Sequence, residues 1–402
     1  MSRRVLLHVG TPKTGTSYLQ DVLFRNQRLL RRHGMLYPAK RHDAHFLAAL
    51  DLMRLPWGGL EHEAVGAWDR LAGRVNRWDG TAVISHEVLA NASRAQVDRA
   101  LSSLDPDTEV HLVLSVRDLA RQIPAEWQEN VKHRRELSYA RFLEQLRDPE
   151  RKSRIASWFW GVQEIPEILD RWGADLPPER VHLVIVPAPG LPPNLLWERF
   201  LDVFDLRGID LDLEGERTNA SLGAAETALV RRINLKVNSV LEPPDYRPLV
   251  RELLAHQTLS LRSDTARLTL PPDLRGWVTE LSRSWVEELE PRGYDVHGDL
   301  DDLVGAEPSA DWVDPDHPDE AAVADAGVDA IRALLLESAR LTGERDRLQA
   351  ELADALHQLE RAHLRPTYRA RHRIVKRLQR SRPGRGLLRL YRWARGRSSR
   401  SA

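Results

Sequence analysis

The sequence predicts an α/β fold, a parallel sheet flanked by helices, with a C-terminal helix and a basic tail appended. Three observations predict it. Short apolar runs alternate with long stretches of helical periodicity through residues 1–298. A glycine-containing turn joins the first run to the first helical stretch. Beyond residue 298 the charges separate into an acidic, an amphipathic and a basic segment, although the net charge of the whole chain is zero. The composition agrees: 402 residues exceed the size of one simple core, and 42% hydrophobic with 29% charged residues is an ordinary globular balance. With no cysteine, the chain has no disulfide, no thiolate metal site and no cysteine nucleophile.

Val5–Val9, Ala82–Ser85, Val110–Val116 and Val181–Val186 are near-continuous apolar runs, the pattern of strands covered on both faces. The helical stretches between and after them include Ser17–His33, Leu119–His133, Tyr139–Leu146 and Leu195–Phe204. Residues 299–329 carry a run of acidic residues with Pro308, Pro315 and Pro318 and no Lys or Arg, which predicts a solvated acidic linker. In residues 330–362, Ile331, Leu334, Leu341, Leu348, Leu352 and Leu359 take heptad positions, which fits an amphipathic helix packed on the main domain or self-associating as a coiled coil. Residues 363–402 contain no acidic residue and form a basic tail. There, Leu387, Leu388, Tyr391 and Trp393 interleave with arginines, a pattern suited to an anionic membrane surface, while no motif for specific nucleic-acid readout accompanies them. The N-terminal apolar run is cut short by Gly10, and no stretch approaches the roughly 18 apolar residues of a membrane helix. A cytoplasmic protein, peripheral at most to a membrane, is expected.

The turn after the first strand reads Gly10-Thr11-Pro12-Lys13-Thr14-Gly15-Thr16-Ser17. Glycines permit a tight fold with amides pointing inward, and the helix that follows presents its positive end to an anion. Lys13 adds an ammonium, and Thr16 and Ser17 add hydroxyl donors. In a nucleoside-triphosphatase loop a lysine would follow the second glycine; here Thr16 stands there and the lysine lies inside the loop. Pro12-Lys13-Thr14-Gly15-Thr16-Ser17 directly after a first strand closely resembles the 5'-phosphosulfate loop of sulfotransferases that use 3'-phosphoadenosine 5'-phosphosulfate, a family with a fold like that of P-loop nucleotide kinases. The resemblance implies that Lys13 contacts the oxygen bridging phosphate and sulfate.

A second segment, Ser115-Val116-Arg117-Asp118-Leu119-Ala120-Arg121, puts an arginine at the carboxyl end of a strand, where open α/β sheets bind ligands. It resembles the family's 3'-phosphate motif, with Arg117 and Trp127 matching, Leu119 in place of a proline and Ala125 in place of a serine. The resemblance assigns the 3'-phosphate to Arg117, with Ser115 or Arg121 as substitutes for the missing hydroxyl. Between these motifs, the strand ending at Ser85 runs into His86 and Glu87. Transfer to a hydroxyl needs a base within hydrogen-bond reach. Glu87 is the first choice, with His86 and His45 behind it. Two weaker expectations are a late cofactor loop at Arg217–Gly223 and an acceptor wall formed by Trp158, Phe159 and Trp160.

The function implied is sulfuryl transfer from 3'-phosphoadenosine 5'-phosphosulfate to an acceptor hydroxyl of a carbohydrate, glycolipid or small molecule. No group of residues has recognisable metal-ligand spacing, so no metal is expected. The competing readings are a P-loop nucleotide or small-molecule kinase and a non-catalytic nucleotide-binding assembly protein.

Overall fold

The computed structural model describes residues 3–214, 221–263, 265–305 and 312–364, with isolated positions 374, 375, 377, 378 and 386. Six strands, β1 (Arg4–His8), β2 (Met35–Leu36), β3 (Thr81–Ser85), β4 (Glu109–Val116), β5 (Val181–Ile185) and β6 (Asp295–His297), form one sheet in the order β2-β3-β1-β4-β5-β6. Every pairing is parallel. The four strands expected from the apolar runs are present to within a residue at each end. The reason for their continuous hydrophobicity is visible in the packing. Val5 and Leu7 face one core with Ile84, Leu112 and Trp127, whereas Leu6, Val83, Val113 and Val184 face a second core with Phe200 and Phe204.

The chain leaves β1 toward β2 and β3 on one side, then crosses back to β4 on the other. This reversal opens a crevice at the carboxyl ends of β1, β3 and β4, the place where open parallel sheets accept ligands. The elements that line it are α1 (Thr16–Arg25), α3 (Ala44–Met53), α4 (Leu119–Lys132) and α6 (Leu195–Val203); α2 (Gln27–Arg32), α5 (Tyr139–Leu146) and α7 (Ala224–Val237) complete the helices that concern the site.

Several expectations need correction. The stretch Ser17–His33 is two helices, because the Asn26 side chain bonds the Val22 carbonyl at 2.8 Å and ties to Asp212, donating to its carbonyl and accepting from its amide at 2.9 Å each. The edge strands β2 and β6 were not expected; at two and three residues they are too short to show a pattern. The acidic segment 299–329 is not a solvated spacer where it is described. Leu303 is buried, and α8 starts at Glu320, inside the expected linker, with Val323, Ala326 and Ala330 buried. Compact packing divides the chain into residues 1–330 and 331–402. Within the second unit α8 continues to Leu364, and its heptad residues Leu341, Leu348, Leu352 and Leu359 are exposed. No helix among the described residues is long and apolar enough to cross a membrane. Nearly all of the basic tail 363–402, including Leu387–Arg395, lies outside the described residues.

Asp316 shows what the acidic segment does. Its carboxylate accepts from the amides of Tyr139 at 3.0 Å and Ala140 at 2.9 Å, two of the orphan donors at the start of α5. Asp316→Ala is therefore expected to destabilise the protein by about 1 kcal/mol, as loss of a helix cap does. A urea midpoint equal to that of the wild type would contradict this docking.

Candidate functional site

The floor of the crevice is a buried polar network. His8, the last residue of β1, lies between Ser85 Oγ at 2.8 Å from Nδ1 and Ser115 Oγ at 3.0 Å from Nε2. The donors balance if Ser85 donates to Nδ1 and Nε2–H donates to Ser115, whose own hydroxyl then turns to the Gly10 carbonyl at 3.0 Å or to Thr14 Oγ1 at 2.6 Å. Thr14 in turn donates to the Thr11 carbonyl at 2.6 Å. Burial pushes His8 down to about 4, against the pull of Glu87, so the ring is neutral.

On this floor stands the loop. Thr11 N–H donates to the Ser115 carbonyl and Ser115 N–H to the Gly10 carbonyl, both at 2.6 Å. Gly10 has φ +124°, and a Cβ there would lie 3.0 Å from the Glu87 carbonyl oxygen, so only glycine lets the loop and the end of β3 approach so closely. Gly15 has φ +86° and faces Leu196 of α6, which a Cβ would meet at 2.9 Å. Lys13 holds a left-handed backbone at φ 65°. The amides of Thr14, Gly15, Thr16 and Ser17 make no hydrogen bond to any described residue, and Thr11 Oγ1 is buried without a partner. Unpaired donors converging on one turn fit an anionic group.

Glu87 sits beside this turn. It accepts from Gln20 Nε2 at 2.9 Å, and His86 Nδ1 is 3.9 Å away. Burial works against its charge, but His86, its own backbone N–H and the hydrogen bond from Gln20 hold the carboxyl below the ordinary range. It is therefore ionised at neutral pH. His86 is stacked on Phe46 of α3 at 5.0 Å, and burial lowers it. His45 accepts from the Ser85 amide at 3.1 Å through Nδ1 and lies against Tyr37; burial pushes it down to about 3, and its Nε2 is buried with no partner. The three expected base candidates are thus neighbours, and one is an ionised carboxylate while the other two are imidazoles pushed toward neutrality.

The second motif divides. Arg117 Nε donates to Gln122 Oε1 at 2.7 Å and Nη2 to the Arg121 carbonyl at 3.1 Å, and burial lowers it to about 10, still charged. Gln122 also bonds the Pro12 carbonyl, linking Arg117 to the loop. Arg121 is engaged elsewhere, on Asp118 and on the Pro187 carbonyl at 3.0 Å. Ser115 is buried and occupied by the floor network. Trp127 of the second motif is a core residue; of the expected wall, Phe159 and Trp160 are core residues too, and only Trp158 is partly open. Of the expected late loop, Arg217–Ala220 lie outside the described residues, and Leu222 is fixed by Gln128 through bonds of 2.8 and 3.1 Å.

One face of α4 carries polar residues that no motif in the sequence marks. Gln122, Glu126, Glu129 and His133 follow helical spacing after Arg117, and this polar stripe on an otherwise buried helix was the available signal. Lys13 Nζ is paired with Glu129, which also meets His133 at 3.2 Å, Arg251 at 3.5 Å and Lys132 at 3.8 Å. Burial opposes the charge of Glu129, yet His133, Lys13 and Lys132 hold its carboxyl far below the usual range. Burial lowers Lys132 to about 8 and raises Glu126 to about 7, the latter against the pull of Lys13.

No family model and no curated protein matches the sequence. Among solved structures, the crystal structure of a sulfotransferase from Alicyclobacillus acidocaldarius is similar over 75% of this chain and 99% of its own, at 17% identity and a TM-score of 0.39. Likeness at that level carries no inference about activity, which has to rest on the residues above.

Glu126 gives a pH test. From its ordinary 4.5 up to about 7, the unfolded chain has released this proton while the folded chain keeps it, so stability falls as pH rises through that window. Glu126→Gln is expected to remove the loss, leaving the variant about 1–3 kcal/mol more stable than the wild type at pH 8 and little changed at pH 4.5. Urea midpoints at the two pH values measure it, and a less stable variant at pH 8 would contradict the buried neutral carboxyl.

Proposed function

We propose that the chain is a sulfotransferase that moves the sulfuryl group of 3'-phosphoadenosine 5'-phosphosulfate to the hydroxyl of an acceptor. The observation that carries this reading is the convergence on Gly10: the unpaired amides of Thr14–Ser17, the ammonium of Lys13 and the ionised carboxylate of Glu87 all border one turn. A phosphosulfate has the charge to take the amides, and a hydroxyl acceptor has the proton to give the carboxylate.

In this reading the amides of Thr14 to Ser17 hold the 5'-phosphate. Arg117, joined to the loop through Gln122, holds the 3'-phosphate. Glu87 takes the acceptor's proton as the acceptor oxygen bonds to sulfur. The bond from sulfur to the bridging oxygen breaks, and Lys13 stabilises the charge left on that oxygen. The transferred group carries charge on three equatorial oxygens between attacking and leaving oxygens held in line, so positioning and electrostatics supply the rate, as in phosphoryl transfer. Glu129 competes for Lys13, so Lys13 exchanges one anionic partner for another on binding. The reading extends to a carbohydrate, glycolipid or small-molecule acceptor.

Calorimetry with 3'-phosphoadenosine 5'-phosphate and with ATP is the first test; the former is expected to bind and the latter to bind far more weakly, and the reverse order would favour a kinase. Lys13→Ala is expected to lower kcat by about 10²–10³-fold with the circular dichroism unchanged. Unaltered transfer by the folded variant would remove Lys13 from the mechanism. Glu87→Gln is expected to reduce kcat by at least about 10²-fold with little change in nucleotide affinity. A larger loss in His86→Ala or His45→Ala, at unchanged binding, would move the base to that residue.

A further inference from the structure

The amino-terminal ends of β4, β5 and β6 gather Glu109, His111, His182, Asp295 and His297, none of which takes part in the reaction above. Register explains the gathering. Val113 pairs with His182, His182 with Asp295, and Val184 with His297, so alternate positions of three neighbouring strands place these side chains on one face of the sheet.

The contacts form a chain. Glu109 Oε1 lies 2.7 Å from His111 Nε2, His111 Nδ1 lies 2.8 Å from His182 Nε2, and His182 Nδ1 lies 2.7 Å from Asp295 Oδ2. The same Asp295 oxygen is 2.9 Å from His297 Nε2. Two neutral imidazoles carry two N–H groups, yet between the two carboxylates there are three contacts to fill. If His111 donates to Glu109 and His182 donates to His111, the lone pair of His182 Nδ1 faces the oxygen of Asp295 with nothing between them. That is the arrangement of two metal ligands, and His297 brings a third atom to the same point: one donor atom from each of the three residues lies within 4.8 Å of the others.

We propose that His182, Asp295 and His297 bind a divalent transition-metal ion of the zinc class, with His111 and Glu109 as the hydrogen-bonded support behind His182. An imidazole ligand whose other nitrogen donates toward a carboxylate is the usual outer arrangement of such sites, and here the support runs through a second imidazole. Tetrahedral ligands at zinc distances stand about 3.3 Å apart, so the contacts to Asp295 open by about half an ångström on binding. Two imidazoles and a carboxylate suit zinc, cobalt or nickel better than calcium or magnesium. Three protein ligands leave one position to water. The site is partly exposed, with Asp295 open to solvent, so an ion can enter.

Its role is structural. Ser115 at the floor of the crevice lies six positions along β4 from Glu109, about 20 Å along a strand. The ion would clamp β6, a three-residue edge strand, to β5 and thereby secure the chain that follows.

The full-length protein, stripped with chelator, is titrated with zinc chloride by calorimetry and with cobalt chloride by visible absorption. One equivalent is expected to bind with micromolar affinity or better, to give the intense visible bands of low-symmetry cobalt and to raise the thermal midpoint. His297→Ala and Asp295→Asn should abolish this binding, and the support variant Glu109→Gln should weaken it by about tenfold. Asp295 is exposed, so Asp295→Asn tests ligation without disturbing packing. Nucleotide affinity is expected to be the same with and without zinc, which separates this proposal from the proposed activity. Absence of saturable micromolar binding, as when an added proton alone fills the third contact, overturns the proposal, and so does binding that survives both ligand variants.

Discussion

A neutral imidazole held between two serine hydroxyls is the contact on which the rest of the crevice depends. His8 ends the central strand β1, Ser85 ends β3 on one side of it, and Ser115 is the last residue but one of β4 on the other. An unpaired polar group at this depth would cost about 1–3 kcal/mol, so the three residues have to find one another, and in doing so they align the carboxyl ends of β1, β3 and β4. Burial keeps the ring uncharged, which lets it donate on one side and accept on the other. The loop then rests on the Ser115 hydroxyl through Gly10 and Thr14, and Glu87 follows two residues after Ser85.

Electrostatics around the loop are poised rather than neutralised. Lys13, Lys132, Arg251 and His133 crowd Glu129, while burial raises Glu126 one turn away to about 7 against the pull of Lys13. Positive charge therefore exceeds negative charge on this face of α4. An incoming dianion meets a surface already arranged for it, and the amides of the loop supply direction that side-chain ammonium groups alone do not.

The same economy of polar contacts governs the periphery. Asn26 breaks a helix by bonding both its own preceding turn and the Asp212 backbone. Asp316 closes the start of α5, and Arg232 and Arg262 meet Glu320 and Asp329 of α8, so an acidic stretch becomes part of the first unit instead of a spacer. Composition alone pointed to solvent there, because an acidic residue reads the same whether its partner is water or an arginine 88 positions earlier, the separation of Arg232 from Glu320.

What the sequence by itself determined was local: four strands as continuous apolar runs, the glycine, lysine and hydroxyl pattern of the loop, and the placing of Arg117 and Glu87 at strand ends. Each of these is fixed by neighbours within a few residues, so spacing suffices to read it. The edge strands were too short to register, and the roles of His8, Gln122 and Glu129 depend on partners as far as 107, 110 and 116 positions away. The same holds for Arg121, whose bond to the Pro187 carbonyl beyond the end of β5 spans 66 positions. Side-chain hydrogen bonds of this kind are chosen by which strands lie side by side, and strand order is decided only when the whole sheet packs.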